Sequence, residues 1–266
     1  MTGSLSFLRK LEAVAILVAV GVLLIPWQGA LHSRAVKAGF RTTTLDLSLR
    51  EQVGQTGFLA ALSGFRSPLA AFLWIEAHTA WEKTEWGRMA ALFGTVTTLQ
   101  PHTLLYWDIA SWHMAWNASA AALQDSRQKS QLLRERSAQQ YRELGRDIIE
   151  RGIANNPGSW LLRERLGILL RDKFGDHAGA ADAFLQSAAL PGAPAYVHRM
   201  GAYEEAKVPG REQRAYDLLR GIYEQESSMH TPRMLSRLRD LEKILDIPSD
   251  RRVPGTTSGV TSPPPR

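Results

Sequence analysis

The hydrophobic pattern of the chain changes twice along its length. Arg9, Lys10 and Glu12 are followed by an uncharged run from Ala13 to Ser33 whose core reads AVAILVAVGVLLIPW. About 20 predominantly apolar residues make a helix that crosses a bilayer. The run therefore predicts a membrane span within residues 11–31, with Trp27 at an interfacial position. A cleavable leader needs small residues at an A-x-A-like site, but Ala30 has Gln28 two before it and Ser33 has Leu31. The reading preferred is a retained anchor. Arg9 and Lys10 on one side nearly balance Arg34, Lys37 and Arg41 on the other. The very short N-terminal tail favours an N-terminus inside and a body in the periplasm, a single-pass inner-membrane protein; a cytoplasmic body is the alternative.

From about residue 67 the apolar positions take helical spacing and repeat. Ala77 and Ser111 are 34 apart, as are Gly167 and Gly201, Pro157 and Pro191, Ala154 and Ala188, Ala181 and Ala215, and Leu185 and Leu219. Ser111 to Gly167 and Pro101 to Pro157 are both 56, so one repeat carries 22 extra residues. Such a period predicts stacked helical hairpins, each hiding its apolar face on the next. A small residue inside the first helix lets the second approach, and a proline ends the unit. The hairpins fall at about 68–101, 102–157, 158–191 and 194–227, the second with its helices separated by the stretch SAAALQDSRQKSQ. Thr231 and Pro232 open a cap helix over 232–245, with Leu235, Leu238, Leu241 and Leu245 on one side. The expected organisation is an anchor over 1–33, a juxtamembrane linker with short helices over 34–66, a repeat domain over 67–246 and a disordered tail over 247–266. The fold class is all-α: a transmembrane helix, then a right-handed α-solenoid of about four hairpins and a capping helix.

Composition removes several chemistries. The 266 residues contain no cysteine, which excludes disulfides, Cys-based zinc sites and thiol nucleophiles. The net charge of +6 is spread out: residues 120–252 carry 22 positive and 19 negative side chains. A nucleic-acid footprint is a dense basic face, so no nucleic-acid partner is expected. No phosphate-binding glycine loop, H-E-x-x-H or G-x-S-x-G occurs, so no catalytic residue, cofactor or metal is assigned. His78, Glu82 and Glu85 lie at offsets of four and seven; a solvated helix face explains them better than a metal site. Asp108 and His113 are five apart and point apart on a helix. Gly64-Phe65-Arg66 reads as a glycine turn, a core Phe and a locally paired Arg, against a contact with lipid headgroups or a partner.

The tryptophans carry the candidate site. Six of the eight fall between Trp74 and Trp116, where charge is sparse. Aromatics at helical spacing are usually core, but the repeat register sorts them. Counted from the small residue of each unit, the inner, concave side holds Trp74, His78 and Trp81, then Asp108, Trp112 and Trp116, then Glu164, Ile168 and Arg171, then His198 and Glu205; Trp107 turns inward as core. Aromatic anchors beside polar groups compose a binding surface. The partner-binding candidates are Trp74, His78, Trp81, Asp108, Trp112, Trp116, Glu164 and Arg171.

The segment LLRERLGILLRDKFGDHAGAADAFLQSAALP resembles a tetratricopeptide repeat (TPR), through Leu166-Gly167, Ala180-Ala181, Phe184, Ala188 and Pro191. Arg163 stands where that family usually has Trp, and Glu76 where it usually has Leu. The stretches LREQVGQTGFLAALSGFRSPLAAFLWIEA, WDIASWHMAWNAS and GRDIIERGIANNP are also similar to bacterial membrane-anchored TPR-like proteins. The resemblance implies TPR-like folding over about 68–227 and a protein-binding scaffold. The expected function is a membrane-anchored adaptor that binds a protein or peptide in its groove, within a bacterial envelope complex. The alternatives are a small-ligand or glycan-binding protein or an enzyme using the Trp-rich groove, and a purely structural subunit.

Overall fold

The computed structural model describes residues 64–225 and 230–254, and the regular structure among them is helical throughout. The expected anchor and most of the linker lie outside the described residues. Among those described, no helix is long and apolar enough to cross a membrane. Compactness divides the chain after Leu99, where the period predicts one domain over 67–246.

The first unit contributes one described hairpin, α1 (Arg66–Glu82) and α2 (Trp86–Leu99). α1 buries Ala70, Leu73, Ala77 and Ala80, a stripe mostly of alanine. α2 answers with Met89, Leu92, Phe93 and Val96. Large side chains against small ones bring the helix axes close. α1 stops at Glu82, and Thr84 takes a left-handed turn at φ 57. The expected stripe of His78, Glu82 and Glu85 is thereby broken: Glu85 lies beyond the turn and binds Arg88 at 3.1 Å. Gly64 does form the turn, at φ 75, but Phe65 beside it is 63% exposed rather than core.

The second unit starts with a long rod. α3 (Leu104–Trp112), a π turn over His113–Ala118 and α4 (Ser119–Gln124) run on without a break. After a short loop, α5 (Gln131–Asn155) returns along it. The extra residues of this repeat are thus mostly helix, not a long separation, because SAAALQ is made of good helix formers. Gly145 and Gly152, two turns apart on α5, allow very close approach. A Cβ at Gly145 would stand 2.8 Å from the Ser111 carbonyl oxygen, and one at Gly152 would stand 2.9 Å from Trp107 Cβ. Ser111 Oγ donates to the Gly145 carbonyl at 2.8 Å. At the hairpin's open end, Trp107 Nε1 and Asn156 Nδ2 both donate to the Pro101 carbonyl, each at 2.8 Å.

α6 (Trp160–Leu169) also continues into a π turn, Leu170–Phe174, which Gly175 ends in the left-handed region at φ 64. Asp176 then caps α7 (His177–Ala188). α8 (Ala195–Glu205) and α9 (Glu212–Gln225) form the next pair. Gly167 admits the Phe184 ring of its own partner helix, as expected. Gly201 instead admits Leu185 of the preceding hairpin, 2.8 Å from its absent Cβ. Thr231 caps α10 (Pro232–Ile244), with Pro232 in the first turn. Met234, Leu238 and Leu241 of α10 complete a core with Tyr203, Tyr216, Leu219 and Ile222.

The chain does not become a loose tail at residue 247. A short 3₁₀ turn, Ser249–Arg251, carries it back over α10. Val253 is 3% exposed, and its N–H donates to Glu242 Oε1 at 2.8 Å. The Tyr223 hydroxyl donates to the Pro254 carbonyl at 2.8 Å. A buried acceptor and one apolar side chain order these residues despite their polar composition. The rest of the expected tail lies outside the described residues.

Candidate functional site

In the second unit the inner helices α3, α6 and α8 are linked by a chain of polar contacts. Arg165 on α6 reaches Asp108 on α3 at 3.2 Å and touches Glu164 Oε2 at 3.4 Å. The Tyr196 hydroxyl on α8 donates to Glu164 Oε1 at 2.7 Å. Burial, the Glu164 hydrogen bond and the Glu164 charge all push the Tyr196 phenol up, so it remains a donor. Glu164 is 3% exposed, not open to a partner as the register implies, because Tyr196 of the following hairpin covers it. Tyr196→Phe keeps the ring and removes the donor. We expect it to lower stability by about 0.5–1.5 kcal/mol in urea melts, since Arg165 still serves the carboxylate.

The other candidate residues fall in distinct settings. Within the first unit, Trp74 is half-buried against Phe93 of α2, ring centroids 5.2 Å apart. It sits in the hairpin seam rather than wholly on the inner face. His78 is exposed and lies against Trp81 at 5.1 Å. Within the second unit, Trp112 is 43% exposed, its ring set edge-on to His113. Trp116 is half-buried, with the Lys173 ammonium 5.0 Å above its ring. Arg171 binds its neighbour Asp172 at 2.6 Å, and its guanidinium lies 6.0 Å from the Phe184 ring.

Trp116 and Arg171 both lie within π turns, where strict α-helical counting does not hold. Each inserts a residue into the helical repeat and swings the later side chains around the axis. The turns begin at nearly the same register, at His113 just past Ser111 and at Leu170, one residue later relative to Gly167. The second one grips the hairpin before it twice: Lys173 lies over Trp116, and Phe174 lies beneath the Arg146 guanidinium at 5.0 Å. Burial, with Arg142 nearby, pushes the Lys173 ammonium down.

Several acidic groups on the inner helices are buried and neutralised. Glu204 is held by His177 Nδ1 at 2.7 Å and Lys207 Nζ at 2.8 Å. Glu205, expected on the open side, is fully buried between Arg211 Nη1 at 3.3 Å and Arg214 Nη1 at 3.0 Å. These are structural ties, since a lone buried carboxylate is very costly. Sequence reasoning missed a further signal: Arg165, Arg199 and Arg233 share the 34-residue spacing. Arg165 binds back to Asp108, and Arg233 lies 5.1 Å over the Tyr203 ring. An open depression of about 650 Å³ lies on the last hairpin, lined by His198, Arg214, Asp217 and Gln225 among others, with no tryptophan. Burial pushes the His198 imidazole down, which favours its neutral form. Among the described residues no group of three metal-ligating side chains occurs.

Of the candidate aromatics in the second unit, Trp112 on α3 is exposed at 43%, whereas Trp116 is half-buried. The geometry defines a helical-repeat chain, and in its second unit polar contacts tie α6 to α3 and α8 to α6. No protein-family model matches the chain, and no curated protein does. Among solved structures it is similar to a thermophilic TPR protein of Thermus thermophilus, 17% identical, with 73% of this chain and 93% of that chain covered and a TM-score of 0.39. So loose a likeness adds nothing about what is bound, and the helical-repeat class rests on the hairpins themselves.

Proposed function

We infer that this chain is a membrane-anchored scaffold, without catalytic activity of its own, that binds a protein or peptide partner along α3 and α6. The supporting observation is Trp112. A large aromatic left 43% exposed beside the satisfied Asp108–Arg165 pair is the composition of an interface anchor. The apolar run from Ala13 to Ser33 supports a single-pass anchor. Arg9 and Lys10 before it support an N-terminal side that stays inside and a body on the periplasmic side of a bacterial inner membrane, working in an envelope complex.

The test is capture of the partner from membranes by full-length protein. Trp112→Ala is expected to weaken capture at least tenfold, about 1.4 kcal/mol or more, while the thermal midpoint stays nearly unchanged. A variant that binds normally removes Trp112 from the interface. Protease access in spheroplasts reads the orientation: a body cut only after lysis overturns the periplasmic placement.

A further inference from the structure

The inner helices of the second unit reach backwards at fixed register positions. Arg165, two residues before Gly167, binds Asp108 of the preceding hairpin. Tyr196, five before Gly201, binds Glu164 of the preceding hairpin. Arg233, one period after Arg199, lies over Tyr203 of the preceding hairpin. This side of an inner helix is therefore the side laid on whatever comes before it.

On α1 the same positions, two and five before Ala77, are Ile75 and Phe72. They are apolar where α6 and α8 carry Arg165 and Tyr196, and they are 64% and 58% exposed. Phe65, seven before Phe72, extends the same face and is 63% exposed. The opposite side of α1 buries its alanine stripe against α2. A helix apolar on both sides is normally covered on both.

We propose that this face of α1 is the docking surface for residues 47–62 of the same chain, which cap the first hairpin from its N-terminal side. The segment ends two residues before Gly64, so it is delivered to α1 through a very short connection, at high effective concentration. It carries Leu47, Leu49, Val53, Phe58, Leu59 and Leu62 against only two charges, Arg50 and Glu51. Residues 34–46, further from α1, carry Arg34, Lys37, Arg41 and Asp46 instead. An apolar segment of this length matches an apolar face, whereas a polar partner would leave Phe72 and Ile75 unsupported. The proposal rests on register and exposure, and it stands or falls independently of the partner at Trp112.

Trypsin reads it directly in the full-length chain in detergent micelles, because Arg50 lies inside the segment and Arg41 before it. Cleavage after Arg50 is expected to be at least about tenfold slower than after Arg41, since proteolysis follows the population of the open form. Ile75→Asp should abolish that protection while cleavage after Arg88 and Arg134 stays slow, which separates undocking from unfolding. The chain has no cysteine, so Ile75→Cys combined in turn with Val53→Cys, Leu59→Cys or Leu62→Cys gives a second reading. At least one pair should oxidise to an intramolecular bridge. Equal cleavage after Arg50 and Arg41 with no intramolecular bridge overturns the proposal. Protection that grows with protein concentration, with bridges forming between copies, assigns the face to a second molecule and overturns it. So does protection seen only in phospholipid vesicles, which assigns the face to lipid.

Discussion

Trp107→Ala is expected to destabilise the second unit by about 3–5 kcal/mol, the loss typical of a large aromatic removed from a core. Trp107 is 3% exposed and fills the space that Gly152 leaves on α5. Its indole N–H also shares the Pro101 carbonyl with Asn156, each at 2.8 Å, so truncation removes one of two ties closing the hairpin's end. The Arg151 guanidinium, 5.9 Å from the ring, loses its support as well. At this chain length the thermal midpoint should fall by roughly 6–20 °C. Trp112→Ala is the paired control, because it removes the same side chain from an exposed site on the same helix. Equal melting losses for the two variants would place Trp112 in the core and remove the basis for a binding face there.

Gly145→Ala is expected to be destabilising although alanine is the better helix former. In an open helix the exchange gains about 1 kcal/mol. Here the new Cβ would stand 2.8 Å from the Ser111 carbonyl oxygen and 2.9 Å from the Ala115 backbone nitrogen. Backbone atoms cannot rotate away, so α5 must lift off the rod. Overpacking of this kind costs about 1–3 kcal/mol, and the Ser111–Gly145 hydrogen bond is worth about 1 kcal/mol more. Gly221→Ala on α9 is the matched opposite. Nothing lies within 4 Å of its added Cβ, so stabilisation by about 0.5–1 kcal/mol is expected. Urea midpoints of both variants check the contrast. A Gly145→Ala midpoint at or above the parent's would show that the seam is looser than described.

The repeat was legible because close packing leaves a compositional trace. Ala77, Ser111, Gly167 and Gly201 are small since a neighbour's side chain or backbone needs the room. Thr231-Pro232 announced α10 through a cap and a fixed φ. The burial of Glu164 and Glu204 was not legible, because their partners Tyr196 and His177 come from other helices, about 30 residues away along the chain. Nor were the π turns: HMAWNA and LRDKF contain no breaker, and one inserted residue leaves the large-scale period untouched. Trp116 and Arg171 both lie within those turns. Gly145 and Gly152 read singly as weak points in a helix, yet their spacing of seven placed them on one face. The arginine spacing of Arg165, Arg199 and Arg233 was readable from the same period that revealed the glycines.

Pulled from its C-terminus, the second unit should not unravel helix by helix from the start. In a row of hairpins held mainly by neighbours, the last is the natural place to fray. Here the residues just after α10 are lashed down: Tyr223 holds the Pro254 carbonyl, and Glu242 holds the Val253 N–H. The Glu242 bond must give before the tail peels from α10, and the Tyr223 bond before α10 and its tail can lift from α9. The end of the stack behaves like a whipped rope end, in which the strands stay together until the binding is cut. A force or an exopeptidase arriving from that side therefore meets a threshold first and the helical stack second.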